Sequence, residues 1–170
     1  ILAGRVLSGQ LRVGDELRFS PGNRLGLVES IETWPKPAAP DQAPQRAVAG
    51  QSIGITLNQQ SFIERGAVGS HSNDQPNLVS AFRGRIVWFA NAPLTPGKRY
   101  KMKVNAGEYV CFAEEIEHVL DTGDLSKSAA GTVARNQIAD VVFRTRGQLA
   151  VDDQADLRGT GRFALVDGHR

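Results

Sequence analysis

Six basic residues raise the first chemical question: Arg83, Arg85, Lys98, Arg99, Lys101 and Lys103, interleaved with Trp88, Phe89 and Tyr100. Cations at strand spacing beside aromatic rings suit a surface that meets RNA phosphates or the carboxylates of a protein partner. They form one face only if the strand through Arg83 and Arg85 pairs with the strand through Lys101 and Lys103. The plainer reading, a solvated sheet face with lysine guarding the edge, is slightly preferred. Lys+Arg total 20 against Asp+Glu 18, a net charge of +2. Nucleic-acid binders usually carry a strong basic excess, so a nucleic-acid partner is disfavoured.

Other letter patterns fail on context. Gly50-Gln51-Ser52-Ile53-Gly54 reads G-x-S-x-G. A nucleophile elbow needs a helix directly after the serine, yet Ile55-Thr56-Leu57 continues as a strand. Gly159-Thr160-Gly161-Arg162-Phe163-Ala164 reads G-x-G-x-x-A, but Leu165-Val166-Asp167-Gly168 follows as strand and turn, where a dinucleotide site needs a helix. The Gly-Lys pair at Gly97-Lys98 is followed by Arg99 in place of Ser or Thr, and Ala92 stands where a P-loop needs its first glycine. No guanine-reading N-K-x-D is present. GTP binding is therefore not expected of this chain. The acidic run Glu114-Glu115-x-Glu117, with Asp121 and Asp124, has the residue types of paired acid–base carboxylates, but reads better as the solvated side of a strand and its loop. His71, His118 and His169 lie far apart without metal-ligand spacing. No catalytic residue, cofactor ligand or metal ligand is assigned.

The elements that position these residues read as β-structure throughout. Gly 18 and Pro 8 favour turns between short strands. Strands are predicted over 3–7, 16–19, 25–33, 52–57 and 67–70, then 82–89, 99–104, 109–120, 138–145 and 162–166. Gly4, Gly9, Gly14, Gly50 and Gly54 are read as bend points in curved sheets. Pro35 to Pro44 reads as a proline-rich surface loop. Asp121 to Thr132 reads as a Gly/Ser/Asp loop that could hold a helical turn. Ser70 to Asn77 is polar and turn-rich, a linker between two domains, 1–74 and 75–170. Phe82, Gly84, Ile86 and Trp88 should face one way and Arg83, Arg85 and Val87 the other; Tyr100, Met102 and Val104 should face inward. The single cysteine, Cys111, excludes an internal disulfide and fits a reducing compartment. No segment reaches membrane-spanning length. Ile1 opens inside an apparent strand, so the chain reads as a piece of a longer protein.

Ala3 to Leu17, and Ala49 to Leu57 with Glu64-Arg65-Gly66, resemble the second domain of the translation-factor GTPases. Within that superfamily the chain resembles the large, GTPase subunit of sulfate adenylyltransferase. Phe19-Ser20-Pro21 and Val28-Glu29-Ser30-Ile31-Glu32-Thr33-Trp34 look like that family's second-domain strands. Phe82-Arg83-Gly84-Arg85-Ile86-Val87-Trp88-Phe89, with Pro93 to Lys103, looks like the opening of its third domain and is the most specific passage. Arg135 to Val141, Gln148 to Asp152 and Thr160 to Asp167 look like its final strands.

The resemblance implies two consecutive small Greek-key-like β-barrels, of the domain 2 and domain 3 type, without the GTPase (G) domain. It implies a parent enzyme that makes adenylylsulfate from ATP and sulfate, coupled to GTP hydrolysis. GTP and Mg would sit in the parent's G domain, and the small subunit, which holds the ATP-sulfurylase active site, would be the partner. The implied location is cytoplasmic. Two alternatives stay open: tRNA- or rRNA-binding barrels of an elongation or release factor, and an independent hydrolase using Ser52.

Overall fold

The computed structural model describes residues 1–35, 37, 39, 42–120 and 126–168. Parts of the expected proline-rich loop (Lys36, Ala38, Pro40, Asp41), the start of the expected Gly/Ser/Asp loop with Asp121 and Asp124, and His169 lie outside the described residues. Among the described residues the regular structure is β-strand, with no α-helix. Among these residues no helix is long and apolar enough to cross a membrane.

By packing, the chain divides into two units. One comprises Ile1–Leu78 with Ala150–Arg162, the other Val79–Leu149 with Phe163–Arg170. The division expected from chain order, 1–74 and 75–170, has no counterpart to this return of residues 150–162.

The first unit holds β1 (Leu2–Arg5), β2 (Gln10–Arg12), β3 (Glu16–Ser20), β4 (Arg24–Glu32), β5 (Arg46–Val48), β6 (Ser52–Leu57) and β7 (Val68–Ser70). A five-stranded sheet runs β1-β6-β4-β3-β7, and β2 pairs with β5. Backbone bonds Val6 to Gln51, Gly50 to Val6 and Ala49 to Gly9 carry the β1/β6 pairing on toward β2/β5. Gly9, Gly14 and Gly50 stand at positive φ (61°, 89° and 92°), where a side chain would be strained, so these are true bends. Gly4 and Gly54 are different: both lie inside strands, β1 and β6. Gly54 sits at a close approach: a Cβ there would lie 2.8 Å from Ile1 Cγ2, and that side chain would have to shift.

Alternation builds the core. Leu17 and Phe19 on β3 point inward, as do Ile53 and Ile55 on β6, around Val28, Ile31, Leu11 and Ala47. Val28 and Ile31 are three apart, which regular pleating would send to opposite faces. A register shift between Val28 and Ser30 absorbs the extra residue and returns Ile31 to the core.

The second unit holds β8 (Asn77–Val87), β9 (Arg99–Val104), β10 (Gly107–Leu120), β11 (Lys127–Ser128), β12 (Ile138–Val151) and β13 (Phe163–Val166); the first residues of β8 and the last of β12 belong to the first unit. Its sheet runs β13-β9-β10-β12-β8, with β11 on β10. The sheet curls, so Phe163 on β13 packs edge-on against Phe82 on β8 (centroids 5.3 Å) and against Phe143 on β12 (5.4 Å). Non-consecutive strands lie side by side in both units, as in Greek-key connections. The expected alternation holds: Ile86 and Trp88 are buried while Arg83, Arg85 and Val87 are exposed, and Tyr100, Met102 and Val104 are buried.

Candidate partner-contact face

The six basic residues are divided by the topology. β8, with Arg83 and Arg85, pairs with β12; β9 lies between β13 and β10. The two strands are not neighbours, so the condition for one continuous basic face is not met.

Each cation has company. Arg83 donates from Nε and Nη2 to the two Glu117 carboxylate oxygens, both at 2.6 Å. Arg85 does the same to Asp140, at 2.7 and 3.0 Å. Lys98 Nζ lies 2.7 Å from Asp167 Oδ1 and 5.4 Å from the Tyr100 ring centroid. Lys101 and Lys103 share the two oxygens of Glu108, at 3.0 and 3.1 Å. Arg99 is engaged as well. The pairs move the ionisation of both partners. Hydrogen bonds from Arg83, Arg85 and Lys101 hold Glu117, Asp140 and Glu108 below the usual carboxylate range. Glu117 and Asp167 in turn raise Arg83 and Lys98. An exposed cation already held by a carboxylate gives up that pairing when it meets a phosphate, so little of this surface is free for nucleic acid.

The aromatic residues are likewise taken. Trp88 is buried and its Nε1 donates to Ala92 O at 2.8 Å. Tyr100 is buried edge-on against Trp88, centroids 5.7 Å, and its hydroxyl accepts from the Thr95 amide at 2.8 Å. Only Phe89 of the three is solvent-facing, at 69% exposure. It lines an open groove of about 370 Å³ between the β8 and β13 ends of the sheet, together with Val87, Leu165 and Asp167.

The acidic run resolves the same way. Glu114 takes a fork from Arg144, with Nε and Nη2 at 3.1 and 2.9 Å, and Glu117 takes the fork from Arg83. Register shifts in β10 between Ala113 and Glu115, and between Ile116 and His118, let neighbouring glutamates share the solvent side. The Arg83 fork holds Glu117 below the usual carboxylate range, which makes it a poor proton carrier. Sequence reasoning did not find the counter-ions Glu108, Asp140, Asp167 and Arg144 for this chemistry. The partners of Asp140, Asp167 and Arg144 are distant in sequence, and only strand order brings them close, while Glu108 meets its lysines across the β9–β10 hairpin.

The remaining motifs fall in places with a structural explanation. Ser52 is exposed and opens β6 opposite Arg5, with strand and no helix after it. Arg162 leads into strand β13. Within the G-x-G-x-x-A letters, a Cβ on Gly161 would lie 2.5 Å from Gln154 Cα, so backbone packing requires that glycine. Thr160, buried beside it, donates to Asp152. His71 Nε2 lies 3.1 Å from Asp15 Oδ2, and His118 is exposed. Among the described residues no three His, Cys, Asp or Glu gather as a metal site.

Comparison with known proteins follows this architecture. The family described as GTP-eEF1A C-terminal domain-like matches residues 81–170. "Sulfate adenylyltransferase subunit 1" of Shewanella woodyi is 32% identical over 164 residues, 96% of this chain and 34% of that protein. The proteins of the same name from Vibrio campbellii and Francisella tularensis subsp. novicida are 30% and 29% identical, over 97% and 96% of this chain and 33% and 34% of theirs. The chain thus spans about a third of the length of these relatives. Crystal structures of sup35 complexed with GDP and with GMPPNP superpose at TM-scores of 0.87 and 0.84, with 16% and 17% identity, over 97% of this chain and 40% of theirs. At that identity the likeness is one of fold alone.

Proposed function

Because this chain belongs to the GTP-eEF1A C-terminal domain-like family through residues 81–170, we propose that it is the non-catalytic, two-barrel part of a GTP-dependent sulfate adenylyltransferase large subunit. The observation that carries this reading is the reach of the likeness to relatives named sulfate adenylyltransferase subunit 1, through 96–97% of the chain and hence through both units. The proposed domains are 1–74 and 75–170 in chain order, with residues 150–162 returning to pack with the first. GTP and Mg belong to a G domain outside these residues; the residues here do not fit a nucleotide, since Gly97-Lys98-Arg99 lacks the P-loop hydroxyl and glycine spacing. The proposed partners are that G domain and the small subunit that adenylylates sulfate, in the cytoplasm.

The proposed role is mechanical. Curled, hydrogen-bonded sheets are stiff, and a stiff body passes on a rotation without dissipating it. A nucleotide-dependent change in the G domain would reorient these barrels as rigid bodies against the small subunit. The proposed contact residues remain Arg83, Arg85, Lys98, Arg99, Lys101 and Lys103, now on separate strands and, Arg99 aside, read as cation–carboxylate pairs. Such pairs favour a protein partner with complementary charges over a polyanion.

Isothermal titration of the folded chain with the small subunit tests the reading. Binding at about micromolar Kd is expected; no heat, with the chain folded by circular dichroism, overturns it. Filter binding with tRNA across a salt series tests the elongation- or release-factor alternative, which requires a steep fall of affinity with salt.

A further inference from the structure

We propose that Arg18 and Ser70 form a carboxylate-binding site on the outward face of the five-stranded sheet, taking an acidic side chain from a polypeptide partner. The clue is a contrast among arginines. Arg83, Arg85 and Arg144 each turn the Nε/Nη2 edge of the guanidinium to a carboxylate. Arg18 does not. Its hydrogen bond among the described residues runs from the other nitrogen, Nη1, to Asn23 Oδ1. Its Nε is shielded from solvent and has no hydrogen-bond partner among the described residues.

A second orphan lies beside it. Ser70 on β7 is the register partner of Arg18 on β3, and its shielded Oγ also has no partner. Buried donors without acceptors are uncommon because each has lost its water and gained nothing. The two sit on register partners of one ladder, one of them charged, as unsatisfied polar groups on the same face. A carboxylate satisfies both: two oxygens for the fork, with lone pairs left for the hydroxyl.

The surroundings select the occupant. One guanidinium matches the single charge of a carboxylate, whereas a phosphate dianion would remain half neutralised. Leu25 is the register partner of Arg18 on the opposite side, and Leu27 lies one pleat further on the same face opposite Glu16. Both are exposed, at 39% and 40%. Ser70, Arg18 and Leu25 thus form a row of hydroxyl, cation and apolar surface, which suits a peptide carrying Asp or Glu next to an aliphatic residue. The fork opens by rotation of the long Arg18 stem, whose anchor is Asn23 in the β3–β4 turn.

Side-chain NMR of the full chain, following the Arg18 Nε–H in the parent and the Leu25 and Leu27 methyls in parent and variants alike, tests this with acetyl-Leu-Glu-Leu-amide. A saturable shift with Kd of about a millimolar is expected. Arg18→Lys, which keeps the charge and removes the fork, should weaken binding about tenfold, and Ser70→Ala about threefold. Unchanged Leu17 and Phe19 signals report that the sheet persists in each variant. An equal response to acetyl-Leu-Gln-Leu-amide, a stronger one to inorganic phosphate, or none to the glutamate peptide overturns the assignment.

Discussion

Cys111 and Gly161 show how neighbours redefine a side chain or its absence. Burial pushes the Cys111 thiol up to about 11, and the residue is fully enclosed. Its thiolate is therefore scarce and inaccessible. Native protein at about pH 8 should not react with Ellman's reagent, and one equivalent should react once urea unfolds it. Fast labelling of the folded chain would contradict this. Gly161→Ala places a methyl against Gln154 backbone, which cannot rotate away as a side chain can. A loss of about 1–3 kcal/mol in urea unfolding is expected, the usual range for overpacking. The sequence displayed the Gly159–Ala164 letters and a strand after them, and the structure has that strand as β13. The need for glycine at 161 could not be read there, because Gln154 meets it only through the fold. The same holds for Arg18: its letters gave no hint of an unpaired fork.

Strands carry the next level. β6 and β9 have the bounds that alternation predicted, since their apolar residues recur at every second position over six residues. β2 and β5 escaped because each has three residues with one buried, too short for any period to appear. Strand order was the larger gap. Nothing local says that β8 pairs with β12, yet that pairing decides that Arg85 meets Asp140 and that no single basic face forms. The ion pairs across β8, β12 and β10 have a pH signature. Glu117 and Asp140 are held low by Arg83 and Arg85. An acid with a depressed folded pKa contributes stability that is complete above its unfolded value, about 4, and lost as pH falls through the folded value. Asp140→Asn should therefore cost about 1–3 kcal/mol near neutrality, and the difference from the parent chain should shrink below about pH 4. Thermal melts of both proteins across acid pH measure it; a penalty that grows on acidification would refute the pairing.

At the scale of the whole molecule, the all-β class and the two barrels were legible from glycine placement, turn composition and the resemblance of four passages. The packing of residues 150–162 with the first unit was not, because β12 runs unbroken from Ile138 to Val151 and its alternation gives no sign of a change of unit. A polypeptide of residues 1–78 should accordingly be less stable than residues 1–78 linked to 150–162. Denaturation midpoints compare them, and equal midpoints would show the returning segment to be idle.

That returning segment limits how such a protein can be recombined. The chain crosses from one unit to the other after Leu78, after Leu149 and again after Arg162. Exchange of the second barrel between relatives thus takes matched junctions at all three places. A crossover at the first alone pairs one parent's opening barrel with another parent's closing piece of it, and the mismatch falls where a Cβ added to Gly159 would lie 2.9 Å from Leu7 Cδ1.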